Sequence, residues 1–281
     1  MNVAIDILTS ATLKHLREHW WNDDFTAFLV ETLRPRAGNR ILDVGCGTGT
    51  AEISIARQHL TQIRLFGVDQ LLDPVINARY ATASHNLRAG FAAADATSLP
   101  FVDGAFDSTY CVAVLQHIGD LSAAIREFAR VTRGGGNIVV VEPDNAARYW
   151  YSSVPAGALA YEARTRFFAA LAEAAGDRMD GAVGPKLPTL FAEHGIEPTQ
   201  VRLFPVSQAR VGAPPADTWT QRARSVQREM ERVPSAPVQK AGQAYLDALS
   251  RYAAEAGAAG SAFVEIQNTM LFATVGQKRD S

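Results

Sequence analysis

Three glycines at alternate positions, Gly45, Gly47 and Gly49, follow the apolar residues Ile41, Leu42 and Val44, with Asp43 two residues before the first glycine. A strand, a glycine turn and a helix in succession bring a backbone close to a nucleotide. Glycine has no Cβ, so it adopts unusual φ/ψ and leaves no side chain in the ligand's way. Beyond the turn, Ala51, Ile53, Ile55, Ala56 and Leu60 space one apolar helix face. The dinucleotide fingerprint is G-x-G-x-x-G. Gly45 and Gly47 fit it, but Thr50 occupies the third glycine position. A nicotinamide dehydrogenase is disfavoured on that ground.

Further polar residues recur at the ends of apolar runs. Ile63-Arg64-Leu65-Phe66-Gly67-Val68-Asp69 reads as a second strand ending in an acid, about 20 residues beyond the turn. A carboxylate there can accept from both hydroxyls of a free ribose, and Gln70 follows it. Phe91 to Asp95 reads as a third short strand, continuing into Ala96 and a loop through Phe101. Phe106 to Ile118 is a fourth strand and its exit, containing Cys111, Val112, Gln116 and His117. Imidazole titrates near pH 6.5, so His117 is the candidate general base. The other reading of His117 is a shape or hydrogen-bonding residue.

Asp43-x-Gly45-x-Gly47-x-Gly49 after an apolar strand resembles motif I of the class I S-adenosylmethionine-dependent methyltransferases. Gly67-Val68-Asp69 is similar to that family's second motif, and Asp95-Ala96-x-x-Leu99-Pro100-Phe101 to a later one. Val114-Leu115-Gln116-His117 resembles the small-molecule branch, which shows a Val-Leu-x-His stretch there. The Asn/Asp-Pro-Pro-Tyr/Phe motif of adenine and amide methylation is absent, as is the Pro-Cys pair of cytosine enzymes.

The resemblance implies a fold and a cofactor. The fold is α/β: a Rossmann-like seven-stranded, mostly parallel sheet with an antiparallel last strand, helices on both faces and helical lid insertions. The cofactor is S-adenosyl-L-methionine, leaving as S-adenosyl-L-homocysteine. Asp43, Gly45, Cys46, Gly47, Gly49, Asp69, Gln70, Asp95, Ala96, Cys111, Val112 and Gln116 are the implied cofactor-binding residues. His117 would then stand beside the methionine moiety. A SAM-using enzyme of another reaction, or a non-catalytic binder, is the alternative.

The elements that must position these residues follow from periodicity and caps. Residues 1–37 read as a helical cap containing Leu13, Leu16, Trp20 and Trp21, then Phe25, Phe28, Leu29 and Leu33, with Asp23 or Asp24 as a cap. Asp73-Pro74 starts the helix after strand two, and Asp120 caps the one after strand four, which Gly134-Gly135-Gly136 ends. Residues 137–144 are a buried fifth strand, so the binding core spans 38–145. Residues 187–206 and 262–277 complete the sheet, with strands over 199–206 and 263–275.

Residues 146–186 and 207–261 are lid insertions rich in aromatics, or else a dimer interface. Trp20, Trp21, Tyr149 and Trp150 are the candidate acceptor contacts. His15, His19, His59, His85 and His194 are read as surface residues.

The bulk numbers exclude several classes. Net charge is −2, with no basic run, so nucleic acid is not an expected partner. No apolar stretch has transmembrane length, no signal-peptide pattern opens the chain, and two cysteines show no metal spacing. The expectation is a cytoplasmic monomer or homodimer that takes a small-molecule methyl acceptor and no metal. Asp144-Asn145 matches half of a catechol-type magnesium site, but no acid follows strand four at the matching place, and Mg²⁺ wants near-octahedral oxygen ligands.

Overall fold

A computed structural model of the chain describes residues 20–57, 63–87, 89–174 and 182–280; at 145 and 146 it describes the backbone alone. The expectations for Leu13, His15, Leu16, His19, His59 and Leu60 lie outside these residues.

The elements are α1 (Asp23–Leu33), β1 (Arg40–Val44), α2 (Thr50–Ala56), β2 (Arg64–Asp69), α3 (Leu72–Ser84), β3 (Ala89–Ala93), β4 (Phe106–Val112), α4 (Leu121–Val131), β5 (Thr132–Ser152), α5 (Pro155–Ala174), α6 (Leu187–Glu193), β6 (Ile196–Val211), α7 (Ala216–Arg232), α8 (Ala236–Ala259) and β7 (Val264–Lys278). They build one seven-stranded sheet in the order β3-β2-β1-β4-β5-β7-β6. Neighbours from β3 through to β5 pair in parallel. The last strand runs the other way. Thr132 O, at the start of β5, accepts from Lys278 Nζ at 2.8 Å, and Ser153 N–H, just past its end, donates to Val264 O at 2.9 Å. Strand order reverses between β1 and β4, and in such sheets ligands bind outside the carboxyl ends at that crevice.

The described residues divide into two compact units, one over 20–57, 63–87, 89–146, 182–204 and 270–280, the other over 147–174 and 205–269. The division falls within β5, β6 and β7. In the first unit, β1 to β5 are covered on both faces, so their cores read as continuous apolar runs. Leu42, Val44, Cys111, Ile138 and Val140 meet Ile125, Phe128 and Phe191 in one buried cluster. The amphipathic face of α4 supplies Ile125, Phe128 and Val131, and the Asp120 side chain caps it by accepting from Ala123 N–H at 2.8 Å.

Local differences from the sequence reading have physical reasons. Asn22 caps α1, accepting from Phe25 N–H at 2.9 Å, while Asp23 and Asp24 occupy the first turn and complement the helix dipole. α3 starts one residue before Asp73, because Asp69 Oδ1 already accepts from Leu71 N–H at 3.0 Å. α4 ends at Val131, and Gly134 to Gly136 belong to β5. A Cβ on Gly136 would stand 2.6 Å from Asp107 O, so that glycine serves close strand approach rather than helix termination. β5, β6 and β7 all outrun their expected bounds.

The first unit holds α1 by its aromatic face. Phe25 and Phe28 meet Phe204 edge-on at 5.3 and 5.0 Å, and Arg202 lies over Phe204 while bonding Asp24 at 2.8 Å. At the other end of α1, Asn137 Nδ2 donates to Thr32 O at 2.6 Å.

The second unit is an α5–α7–α8 bundle with the remaining strand segments. Gly242 of α8 is what lets it close, since a Cβ there would meet Met230 Sδ at 2.4 Å and Phe167 at 3.0 Å. A polar network sits among its aromatics. Arg222 bonds Glu265 through two nitrogens at 3.1 and 2.7 Å, Tyr252 donates to Glu265 at 3.1 Å, and Trp219 lies 4.8 Å beneath the guanidinium. Glu265 is 4% exposed, so removing it strands a largely buried cation. Glu265→Ala is expected to cost roughly 2–3 kcal/mol in chemical denaturation, below the range for a wholly buried pair because Arg222 keeps some exposure. A loss under about 0.5 kcal/mol would show that solvent already satisfies Arg222.

Candidate functional site

The turn after β1 is built on left-handed backbone. Gly45 has φ +84° and Gly47 φ +52°. At Gly45 the constraint is also steric, since a Cβ would lie 2.0 Å from Val114 Cγ2. The turn after β4 therefore packs directly on the turn after β1. At Gly47 no described residue lies within 4 Å of where a Cβ would stand, so this backbone is open among the described residues. The amides of Gly45 and Cys46 both donate to Val68 O, at 2.7 and 2.9 Å. Gly49 opens α2 as its N-cap, again left-handed at φ +82°.

Asp69 joins three segments. Its Oδ2 accepts from Gly47 N–H at 3.0 Å and its Oδ1 from Leu71 N–H at 3.0 Å. Each carboxylate oxygen keeps a further lone pair for a ligand hydroxyl. Gln70 beside it is exposed. Asp95 is also exposed, with Oδ1 accepting from the Thr97 N–H at 2.8 Å and hydroxyl at 2.7 Å, which leaves Oδ2 outward. Ala96 is buried beneath it. The loop after Asp95 is clamped to α4, where Glu127 accepts from Leu99 N–H at 2.6 Å and Arg130 donates to the carbonyls of Leu99 and Phe101.

The exit of β4 carries Gln116 and His117 on a single 3-10 turn, Leu115–His117, entered through Ala113 at φ +58°. Glu142 holds it. This fully buried carboxylate on β5 accepts from Val114 N–H at 2.7 Å, Leu115 N–H at 2.7 Å and Gln116 N–H at 3.4 Å. The sequence reading passed over Glu142, although a lone acid closing the apolar run Ile138–Val141 was the available signal. Val112 keeps some surface, but Cys111 is fully buried in the core cluster, so its thiol does not line the site.

The underside of the turn is acidic. Asp43 on β1 lies in register with Tyr110 on β4. Glu52 of α2 faces Asp43, is 0% exposed, and neither of its oxygens meets a partner at full hydrogen-bond geometry among the described residues; the same holds for the buried Tyr110 hydroxyl. Burial, then the Glu52 charge, hold the Asp43 carboxyl well above the usual carboxylate range. Burial pushes Glu52 up to about 7. Burial and the neighbouring acids keep the Cys46 thiol protonated.

Of the aromatic acceptor candidates, Trp20 is buried and Trp21 packs edge-on against Phe25 at 5.2 Å with part of its ring exposed. Tyr149 and Trp150 belong to the other unit, where Trp150 stacks on Tyr161 at 5.2 Å and Tyr149 is 57% exposed. Asp144 is 8% exposed, and among the described residues no three metal-ligating side chains gather. Among those residues, too, no helix is long and apolar enough to cross a membrane.

Two outcomes follow from the buried acids. Glu142→Ala leaves the amides of Val114 and Leu115 without acceptors and is expected to cost roughly 3 kcal/mol in urea denaturation; Glu142→Gln, which keeps one oxygen, costs less. Glu52 binds its proton more tightly folded, near 7, than at its ordinary 4.5. Its contribution is therefore present in full below about pH 4.5 and lost as pH rises through 7, on the order of 3 kcal/mol in total. Denaturation curves from pH 5 to 8 should decline less steeply in Glu52→Gln, where Asp43 is left as the one raised acid of the pair; parallel pH slopes in both proteins would refute it.

Residues 42–140 match the model of the methyltransferase domain. The chain is 30% identical to the O-methyltransferase resE of Aspergillus sclerotiorum over 48% of this chain and 56% of that protein. It is 30% identical to the 27-O-demethylrifamycin SV methyltransferase of Amycolatopsis mediterranei over 48% of this chain and 53% of that protein. The matched region thus spans about half the length of these curated relatives. A solved putative methyltransferase from Bacillus halodurans superposes with a TM-score of 0.59, covering 91% of this chain and 99% of that one at 16% identity, which speaks for the fold alone. Residues 42–140 of this chain are thus similar to methyltransferase domains, and the chain shares the fold of the solved methyltransferase.

Proposed function

We propose that the protein transfers a methyl group from S-adenosyl-L-methionine to an oxygen of a small-molecule acceptor. The observation that carries this is the open backbone at Gly47, bonded through its own amide to Asp69. The fit is specific in kind. A glycine turn with free space takes the amino-acid end of the cofactor, and the outward lone pairs of Asp69 suit its ribose hydroxyls. Asp95 Oδ2 with Ala96, beside Gln70, suits the adenine. Oxygen as the acceptor atom is supported by the activities named for the relatives.

The bound cofactor supplies an electrophilic methyl on a sulfonium centre. The chain's own work is then mostly positioning, which can contribute roughly 7–11 kcal/mol. Glu142 fixes the turn that carries Gln116 and His117. His117 takes the acceptor's hydroxyl proton, a role that typically adds about 10²–10⁴-fold. Trp21 and Tyr149, whose rings keep exposed surface, remain candidates for acceptor contact. Trp20 and Trp150 have their rings engaged in packing. The protein acts in the cytoplasm, a reading supported by its two buried free thiols, and as a monomer or homodimer.

Calorimetric titration tests the cofactor reading. Micromolar SAM binding, weakened at least about tenfold (1.4 kcal/mol) in Asp69→Ala, is the expected result. Release of S-adenosylhomocysteine with small hydroxyl-bearing acceptors then identifies the substrate. Folded protein that binds NADH and not SAM would overturn the proposal.

A further inference from the structure

Asp43, Glu52 and Tyr110 form a cluster in which the resemblance implies a cofactor role for Asp43 alone, and the methyl-transfer reading gives Glu52 and Tyr110 no part. They come from three elements, β1, α2 and β4, and converge under the glycine turn. Asp43 is 3% exposed, and Glu52 and Tyr110 are 0% exposed. Neither Glu52 oxygen nor the Tyr110 hydroxyl has a partner at full hydrogen-bond geometry among the described residues, and the polar side chain that each approaches is Asp43. Buried polar groups are normally satisfied, and one that is not points to a ligand, a water or a proton. Apolar packing would be the cheaper use of a buried helix position, so a carboxyl there calls for a function.

The charges around the cluster are one-sided. Asp69 on β2 and Cys46 in the turn join Asp43, Tyr110 and Glu52 as the groups that act on one another. Asp43 is the one charged side chain acting on Glu52. α1 and α3 pack against α2, but their charges are engaged or turned elsewhere. Asp24 pairs with Arg202, Arg79 donates to Phe91 O, and Asp23, Glu31 and Asp73 are exposed. Among the described residues, no cation balances the cluster. Two carboxyls this close in a low-dielectric site cannot both ionise, so together they keep a proton.

We propose that Asp43 and Glu52 are a proton-holding carboxyl pair, steadied by Tyr110, which gives one proton to solvent when the cationic end of the cofactor seats on the glycine turn. The proposal rests on the cofactor reading above. The balance is simple. The O–H bond of the shared carboxylic acid breaks, the proton goes to buffer, and the pair is left with one more negative charge facing the ligand's ammonium and sulfonium. Nothing is oxidised or reduced. An approaching cation favours the charged form of a nearby acid, so binding and deprotonation drive each other. Cofactor affinity then rises with pH below neutrality, by up to about tenfold per unit for one released proton. Placing Glu52 on α2 makes the glycine turn a charge-selective cradle as well as a steric one, favouring a positively charged ligand.

The test is titration of the whole protein with SAM at pH 6.5, in PIPES and in imidazole, whose ionisation enthalpies differ widely. At that pH the ligand's own α-ammonium stays protonated. The expected result is a binding enthalpy that differs between buffers by the equivalent of half a proton or more released. Affinity should also rise at least threefold from pH 6 to 7. Glu52→Gln should bind SAM with the same enthalpy in both buffers and a flat pH profile. Infrared difference spectra of the unmodified protein give an independent readout, since adding SAM should remove a carboxylic-acid C=O band. SAM binding with equal enthalpies in both buffers and no loss of that band overturns the proton-holding pair while leaving the methyltransferase reading intact. No SAM binding at any pH removes the cofactor reading and this proposal with it.

Discussion

The absence of a side chain at Gly45 is the constraint on which the site depends. Val114 occupies the space where a Cβ would be, so the exit of β4 closes down on the exit of β1 at the point where strand order reverses. Any other residue at 45 would take a left-handed φ and bring a Cβ to 2.0 Å from Val114 Cγ2. With the two turns locked together, Gly47 stays open among the described residues while Gly45 and Cys46 tie their amides to Val68. The parallel strands supply the frame, and the contact between turns sets where a ligand can go.

Buried carboxylates do the remaining positioning, in three distinct ways. Asp69 is half-buried and shares its oxygens between the glycine turn and the start of α3, so one acid joins the two. Glu142 is fully buried and its oxygens accept from consecutive amides, which converts an irregular exit into a defined 3-10 turn under Gln116 and His117. Glu52 is fully buried and accepts no hydrogen bond of full geometry among the described residues. The first two arrangements lower the cost of a buried charge by hydrogen bonds to backbone. The third leaves the cost in place, and holding a proton is the way it is reduced.

The second unit follows a different logic. Its core is aromatic, built on Trp150, Trp219, Tyr252 and Phe263, and one carboxylate, Glu265, meets both a guanidinium and a phenol inside it. Such a network rewards one arrangement of three helices over its neighbours, at some cost in stability. The chain thereby joins a sheet domain, packed largely by aliphatic side chains, to a bundle ordered by aromatic and ionic contacts.

Short-range chemistry made much of this legible from the sequence. Alternating glycines after Ile41, Leu42 and Val44 announce a tight turn because glycine takes left-handed φ values without steric cost. Asp120 announces a helix start because its side chain reaches an amide three residues on, and Asp69 ends its strand where the next turn needs an acceptor. These rules act within a few residues, and the fold class and the turn-bearing half of the site follow from them. Tertiary structure decided what depends on partners distant in sequence. Glu142 reads as the end of an apolar strand until β4 brings three amides to it from 26 to 28 residues away. Trp150 reads as a free aromatic until Tyr161 stacks on it. Cys111 reads as a strand residue beside the ligand until α4 closes over its face, and only the packing of α2 buries Glu52 beneath the glycine turn. Burial is a property of the assembled layers, so no local pattern of residues announces which acids lose their water.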